Sequence, residues 1–212
     1  MEQVTKYYTG KRGFLRRLRT RISFYLDQPL KNRKDLPYLL TLMNLRGKGV
    51  EIGVAKGEYS EVILENSELS VLYSVDPWRE HSEDQYKDLN NVAQQINENR
   101  YKSVSEYFKR YGERSKILRK TSEEASRIME DNSLDFVYID ANHSYKACKD
   151  DIELWWPKLR KDGIFAGHDY LDGDLPDGDF GVKSAVDEFA KARNLKVYVI
   201  QQNWPTWYLK KR

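Results

Sequence analysis

A chain of 212 residues that is 40% hydrophobic and 33% charged can bury one large core but would leave two halves marginal, so one globular domain is expected and a disordered chain is not. Its 36 basic and 33 acidic side chains nearly cancel, and a net charge of +3 sets up no field that argues for nucleic acid as a partner. The single Cys148 rules out an internal disulfide and has no second cysteine for zinc or redox chemistry, while no apolar run is long enough to span a bilayer or to mark a secretory signal; a cytoplasmic protein without a transmembrane segment is expected.

In chain order, Lys11, Arg12, Arg16, Arg17, Arg19 and Arg21 crowd a segment in which Phe14, Leu18 and Ile22 recur every four residues, the pattern of a basic amphipathic helix. Residues 1–47 are read as a basic helical cap and 48–212 as the main domain. The helix is expected to pack on that domain, with docking to a membrane surface or a partner as the alternative. Residues 49–54 read as a buried strand running into a glycine loop, 58–66 as a helix, and 71–75 as a second strand stopped by Asp76-Pro77. Residues 82–111 predict one or two solvent-facing helices. Strands follow at 116–119, 134–139 and 163–167, separated by helices at 122–130 and 145–159; a helix at 182–193 precedes an antiparallel pair, 197–201 against 206–210, turning at Asn203-Trp204-Pro205. Such alternation predicts a doubly wound α/β fold, Rossmann-like, whose mostly parallel seven-stranded sheet ends in an antiparallel hairpin. Ligands of open sheets bind beyond the carboxyl ends of the central strands.

Those ends carry the chemistry. Glu51, Gly53 and Gly57 are spaced ExGxxxG, with glycines that allow a sharp turn and a carboxylate that repels phosphate, so the loop suits a cationic, phosphate-free cofactor better than a dinucleotide. S-adenosylmethionine (SAM) has that character. Asp76 is placed to accept hydrogen bonds from ribose hydroxyls and Trp78 to pack on adenine, with turn and capping chemistry as the alternative for both acids. After the fourth and fifth strands, Asp140, His143, His168 and Asp169 converge two carboxylates and two imidazoles, against the alternative of capping aspartates and satisfied core histidines. The third histidine, His81, lies in a polar stretch and reads as a surface residue. Oxygen ligands with imidazole suit Mg²⁺, Mn²⁺ or Fe²⁺ rather than a closed zinc site. The aspartate-rich stretch 172–179 fails as a calcium loop because Pro176 takes a ligand position; it reads as a mobile, solvated loop able to close over an acceptor. Trp155 and Trp156 read as packing residues.

Glu51–Gly57, Ser74-Val75-Asp76-Pro77-Trp78, Thr121-Ser122 and the set Asp140-Ala141-Asn142-His143-Ser144-Tyr145, Asp151 and Gly167-His168-Asp169-Tyr170 resemble the class I SAM-dependent methyltransferases over residues 48–210, in particular the branch of metal-dependent sugar O-methyltransferases acting on macrolides. The resemblance implies a SAM site at Glu51, Gly53, Val54, Gly57, Asp76, Pro77, Trp78, Ser122 and Asp140, a metal held by Asp140, His168 and Asp169, and His143 as a general base, a neutral imidazole near pH 7. His168 departs from the family's acidic or amide ligand. The acceptor implied is a small molecule, a sugar hydroxyl foremost. A metal-independent methyltransferase and a non-catalytic SAM-binding domain stand as alternatives; an NAD-dependent oxidoreductase is disfavoured by the absent third glycine, and a homo-oligomer is left open.

Overall fold

The six residues Leu-Asp-Phe-Val-Tyr-Ile of β4 (Leu134–Ile139) are buried on both faces, which a strand tolerates only when helices cover the sheet above and below. The computed structural model describes residues 10–82, 88, 91–175 and 178–212, excepting the side chains of 10–12. Around β4 stand β1 (Lys48–Ile52), β2 (Val71–Val75), β3 (Ser115–Leu118), β5 (Leu159–Gly167), β8 (Tyr198–Ile200) and β9 (Thr206–Lys210), in the order β3-β2-β1-β4-β5-β9-β8. All neighbours are parallel except β9, which runs antiparallel to both β5 and β8. This is the expected seven-stranded α/β sheet with one reversed strand.

The pleat divides the core in two. Phe136 and Tyr138 face one layer with Leu36, Leu39 and Leu40 of α2 (Leu36–Leu42), Val62 and Ile63 of α3 (Glu58–Asn66), and Val104 and Phe108 of α4 (Gln94–Phe108). Val137 and Ile139 face the other, with Ala125 of α5 (Ser122–Ser126), Ile152 and Trp155 of α6 (Tyr145–Trp155), and Val186 and Phe189 of α7 (Val182–Ala192). Trp155 and Trp156 pack here as expected. No helix among the described residues is long and apolar enough to cross a membrane.

Several boundaries differ for local reasons. Helix α5 ends after five residues, its start fixed by a capping box between Thr121 and Glu124. Helix α6 stops at Trp155, just before Pro157, and β5 begins at Leu159 with a register shift against β4. Of the polar stretch 82–111 only α4 is a described α-helix, running into a 3-10 helix at Lys109–Arg114, and Leu89 lies outside the described residues. The aspartate-rich segment is solvated as expected at Asp172, Asp174 and Asp179, but it is a hairpin rather than a loop: β6 (Asp172–Leu175) pairs with β7 (Gly178–Gly181), Pro176 lying outside the described residues.

The N-terminal helix α1 (Gly10–Tyr25) forms, but its apolar row does not pack. Phe14, Leu18 and Ile22 are 66, 45 and 49% exposed, while Gly13, Thr20 and Ser23 turn inward. Charge sets this orientation. Arg16 and Arg19 both reach the buried Asp35 carboxylate, at 3.4 and 2.8 Å, on the 3-10 turn Arg33–Asp35 that leads into α2. An unpaired carboxylate at that depth is costly, so the pairing faces inward and the apolar row outward.

Candidate active site

Backbone bonds bring the strand ends together: Gly53 N–H donates to Val75 O, Asp140 N–H to Ile52 O and His168 N–H to Ile139 O, at 2.9, 2.8 and 2.9 Å. Beyond them opens a cleft of about 1040 Å³. In the loop after β1, Gly53 has φ +84°, and a Cβ there would lie 1.9 Å from Asp140 O; Gly57 has φ +80°, and its Cβ would strike Phe108. Both glycines are therefore demanded by a turn against neighbouring protein, and Gly57 does not line the cleft.

Asp76 braces that loop. Val54 and Ala55 N–H donate to its Oδ2 at 3.0 and 2.9 Å, and Trp78 N–H donates to Oδ1 at 2.6 Å. Asp76 and Pro77 line the cleft, but Trp78 does not: it is 1% exposed, its indole N–H donates to Ala55 O, and its ring packs on Tyr101. The expected adenine contact at Trp78 is thus replaced by a core contact, since its donor and its ring are both engaged inside. His81, expected on the surface, lines the cleft, where Asn91 grips its backbone N–H and C=O.

On the cleft floor the Glu51 carboxyl accepts from Ser60 O–H, whose oxygen is 3.0 Å from Ser74 Oγ, and burial pushes Glu51 up to about 8. Arg33 enters from the N-terminal segment. Its guanidinium lies over the Tyr59 ring, 4.9 Å from the centroid, with Nη1 3.7 Å from Asp140 Oδ2. Burial works against that charge, yet Tyr138 and Asp140 hold it above its ordinary pKa. Tyr59 O–H donates to Arg33 O and Arg33 N–H to Gln202 Oε1, both at 3.0 Å, fixing the backbone. At the opposite wall Ser122 O–H donates to Asp151, pushed up to about 6 by burial, and Trp155 Nε1–H donates to Ser122 Oγ at 2.8 Å.

Asp140 also belongs to a second group behind the cleft. His143 Nδ1 is 2.7 Å from Asp88 Oδ2; its Nε2 is 3.0 Å from Asp169 Oδ2 and 3.7 Å from Asp140 Oδ1, without hydrogen-bond geometry to either. Phe180 of β7 stacks on the imidazole at 4.9 Å, and Gly181 N–H donates to His143 O at 2.8 Å, so the hairpin walls the group. Burial disfavours an imidazolium here, but the carboxylates of Asp140, Asp169 and Asp88 outweigh it and raise His143 to about 11. These carboxylates favour the imidazolium, against the neutral imidazole expected from the sequence. Asp169, in the left-handed region at φ 51°, is held well below the usual carboxylate range: burial opposes this, and the adjacent imidazoles of His143 and His168 prevail.

One ligand atom each from Asp140, His143 and Asp169 lies within 4.8 Å of the others. The expected trio contained His168 instead. That ring stands beside Asp169, Nδ1 to Oδ1 2.8 Å, and 3.9 Å from Asp140, so His143 takes the inward place. Two carboxylates with a buried imidazole nitrogen lacking a hydrogen bond fit a divalent cation. Arg33 and Asp88 escape sequence reading because each sits in a polar stretch with no periodicity or motif.

Residues 50–170 match the family described as Methyltransferase domain. A 69-residue segment is 38% identical to the uncharacterized protein y4gI of Sinorhizobium fredii (strain NBRC 101917 / NGR234); the match covers 32% of this chain and only 8% of that protein's length. The fold is similar to that of a putative caffeoyl-CoA O-methyltransferase from Staphylococcus aureus (TM-score 0.59, 15% identity, 91% of this chain and 90% of that one). It is similar too to the O-methyltransferase NovP (0.58, 18%, 84 and 77%) and to an O-methyltransferase from Bacillus cereus in complex with SAH (0.56, 12%, 90 and 88%). At these identities the likeness is one of fold.

Proposed function

The chain belongs to the methyltransferase domain family, and from that premise we propose that it is a SAM-dependent O-methyltransferase acting on a small hydroxyl-bearing acceptor, a sugar hydroxyl foremost. The observation that carries this reading is the place of Asp140, which lines the cleft and also belongs to the acid–imidazole cluster behind it. A cofactor head and an acceptor hydroxyl would meet at that one residue.

The cleft fits SAM by its charges. Glu51 and Asp140 face the position suited to an ammonium, and Arg33, between Tyr59 and Asp140, offers a guanidinium to a carboxylate; a zwitterionic amino-acid head needs both. A carboxylate has about four acceptor sites, and backbone N–H groups occupy three at Asp76, leaving one for a ribose hydroxyl. Val54, Pro77 and Ser122 complete the wall. Bound SAM supplies an electrophilic methyl on a sulfonium.

His143 is oriented through Nδ1 by Asp88, and its buried Nε2 faces Asp140 and Asp169; a carboxylate–imidazole pair of this kind would serve as a general base to an acceptor hydroxyl brought to Asp140. A divalent cation, Mg²⁺ or Mn²⁺, held by Asp140, His143 and Asp169 would take that same Nε2 lone pair and would itself lower the hydroxyl pKa, so the cation and the imidazole base are alternative ways of activating the acceptor. Calorimetry with SAM and SAH, followed by labelled-methyl transfer to a panel of sugars, catechols and phenols with and without chelator, tests the reading. Tight SAM binding with no transfer to any acceptor identifies a non-catalytic SAM-binding domain, and full turnover in chelator identifies the metal-independent enzyme.

A further inference from the structure

Ten large apolar side chains are exposed among the described residues, and six of them, Phe14, Leu15, Leu18, Ile22, Tyr25 and Leu26, fall on α1 and the residue after it. At about 100° per residue, Phe14, Leu15, Leu18, Ile22 and Tyr25 fill one arc of about 100°. Arg17 and Arg21 border that arc on one side and Arg19 on the other, while Gly13, Arg16, Thr20 and Ser23 occupy the opposite, inward side. The helix carries six basic residues and no acidic one. It is pinned to the domain through Asp35 by Arg16 and Arg19, so its orientation follows from buried charge and leaves the apolar strip open.

We propose that this outward face of α1 seats the protein on an anionic lipid surface, the apolar strip entering the headgroup boundary and the basic helix, through exposed Arg21 foremost, drawn to lipid phosphates. A uniformly basic helix with a broad apolar arc has the pattern of an in-plane interfacial helix, and at 16 residues of mixed polarity it does not span. Charge also selects lipid over a second copy: a two-fold dimer through this strip would set one all-basic helix against its twin, with no acidic side chain on the helix to compensate. The seat lies close to the cleft, because Asp35, which anchors the helix, is two residues from Arg33 on the same turn. The inference does not depend on the methyl-transfer reading.

The test is sedimentation of the full chain with phosphatidylcholine vesicles, with and without phosphatidylglycerol, at low and high salt. The expected result is co-sedimentation with the anionic vesicles only, weakened by salt. It should fall at least about ten-fold in Leu18→Glu/Ile22→Glu and in Arg21→Glu, with circular dichroism and thermal melting unchanged because Leu18, Arg21 and Ile22 are exposed. Wild-type protein left in the supernatant of anionic vesicles overturns the proposal, as does equal binding by the variants. A dimer in sedimentation equilibrium that Leu18→Glu/Ile22→Glu dissolves, with no vesicle binding, assigns the face to a second copy instead.

Discussion

Arg33 Nη1 stands 3.7 Å from Asp140 Oδ2, a residue of the N-terminal segment meeting the end of the central strand across the cleft floor. If that guanidinium receives the cofactor's carboxylate, Arg33→Gln weakens SAH binding about 10- to 100-fold, the worth of a hydrogen bond to a charged group. The same substitution leaves the affinity for the decarboxylated analogue of SAH unchanged. Calorimetry with both ligands separates the cases: a wild type that binds neither refutes the SAM site, and an equal loss for both ligands refutes the carboxylate contact.

If the cofactor's ammonium binds at Glu51, cofactor binding is a proton-linked event. Its carboxyl is pushed from the ordinary 4.5 to about 8 by burial, so near pH 7 the folded empty protein holds a proton that the unfolded chain has lost. The stability from that proton is complete below about 4.5 and disappears as the pH rises through about 8. An ammonium in the cleft favours the carboxylate, so binding expels the proton and tightens as pH rises. Calorimetry at pH 7 in two buffers of different ionisation heat should give net proton release on SAH binding, absent in Glu51→Gln. Equal heats in both buffers for the wild type contradict the linkage.

Asp76→Ala should cost stability as well as affinity. Three backbone N–H groups lose their acceptor, each worth roughly 1 kcal/mol or more when left unsatisfied. Denaturant melts of the ligand-free protein should therefore shift by about 3 kcal/mol or more. Trp78→Ala should cost about 3–5 kcal/mol for a cavity in the core. An unshifted melt for Asp76→Ala places its worth wholly in the ligand.

His143→Ala should lower the transfer rate about 10²- to 10⁴-fold with SAH affinity intact. Asp88→Asn should lower it less and move the pH profile, because the amide no longer supports the charge on Nδ1. Calorimetric titration of Mn²⁺ should find one site that Asp169→Ala weakens, and turnover lost to exhaustive chelation should return with Mn²⁺ or Mg²⁺. A rate untouched by His143→Ala makes the ring a packing residue under Phe180.

What could be read from the chain was whatever repeats locally. Strands β2 and β4 and helix α3 occupy the expected residues because an apolar run or a helical period lies wholly within each. Asp140, His143 and Asp169 were legible because their types are rare and their places follow strand ends. The roles of Trp78 and His81 were not, since the same tryptophan packs on adenine or on Tyr101 according to a backbone turn at φ 43° that no pattern encodes. The helix α1 was correctly periodic yet turned the other way, because a single buried acid, Asp35, outweighed six apolar side chains.

The contact between Gly53 and Asp140 sets a tolerance. With no room for even a methyl group between the glycine loop and the end of β4, the two halves of the site share one van der Waals surface and cannot drift apart independently. In-line transfer between a sulfonium carbon and an oxygen is sensitive to errors of an ångström. If SAM and its acceptor bind as proposed, their spacing is gauged by backbone on backbone, the stiffest material a protein has, and side chains are left to tune only charge.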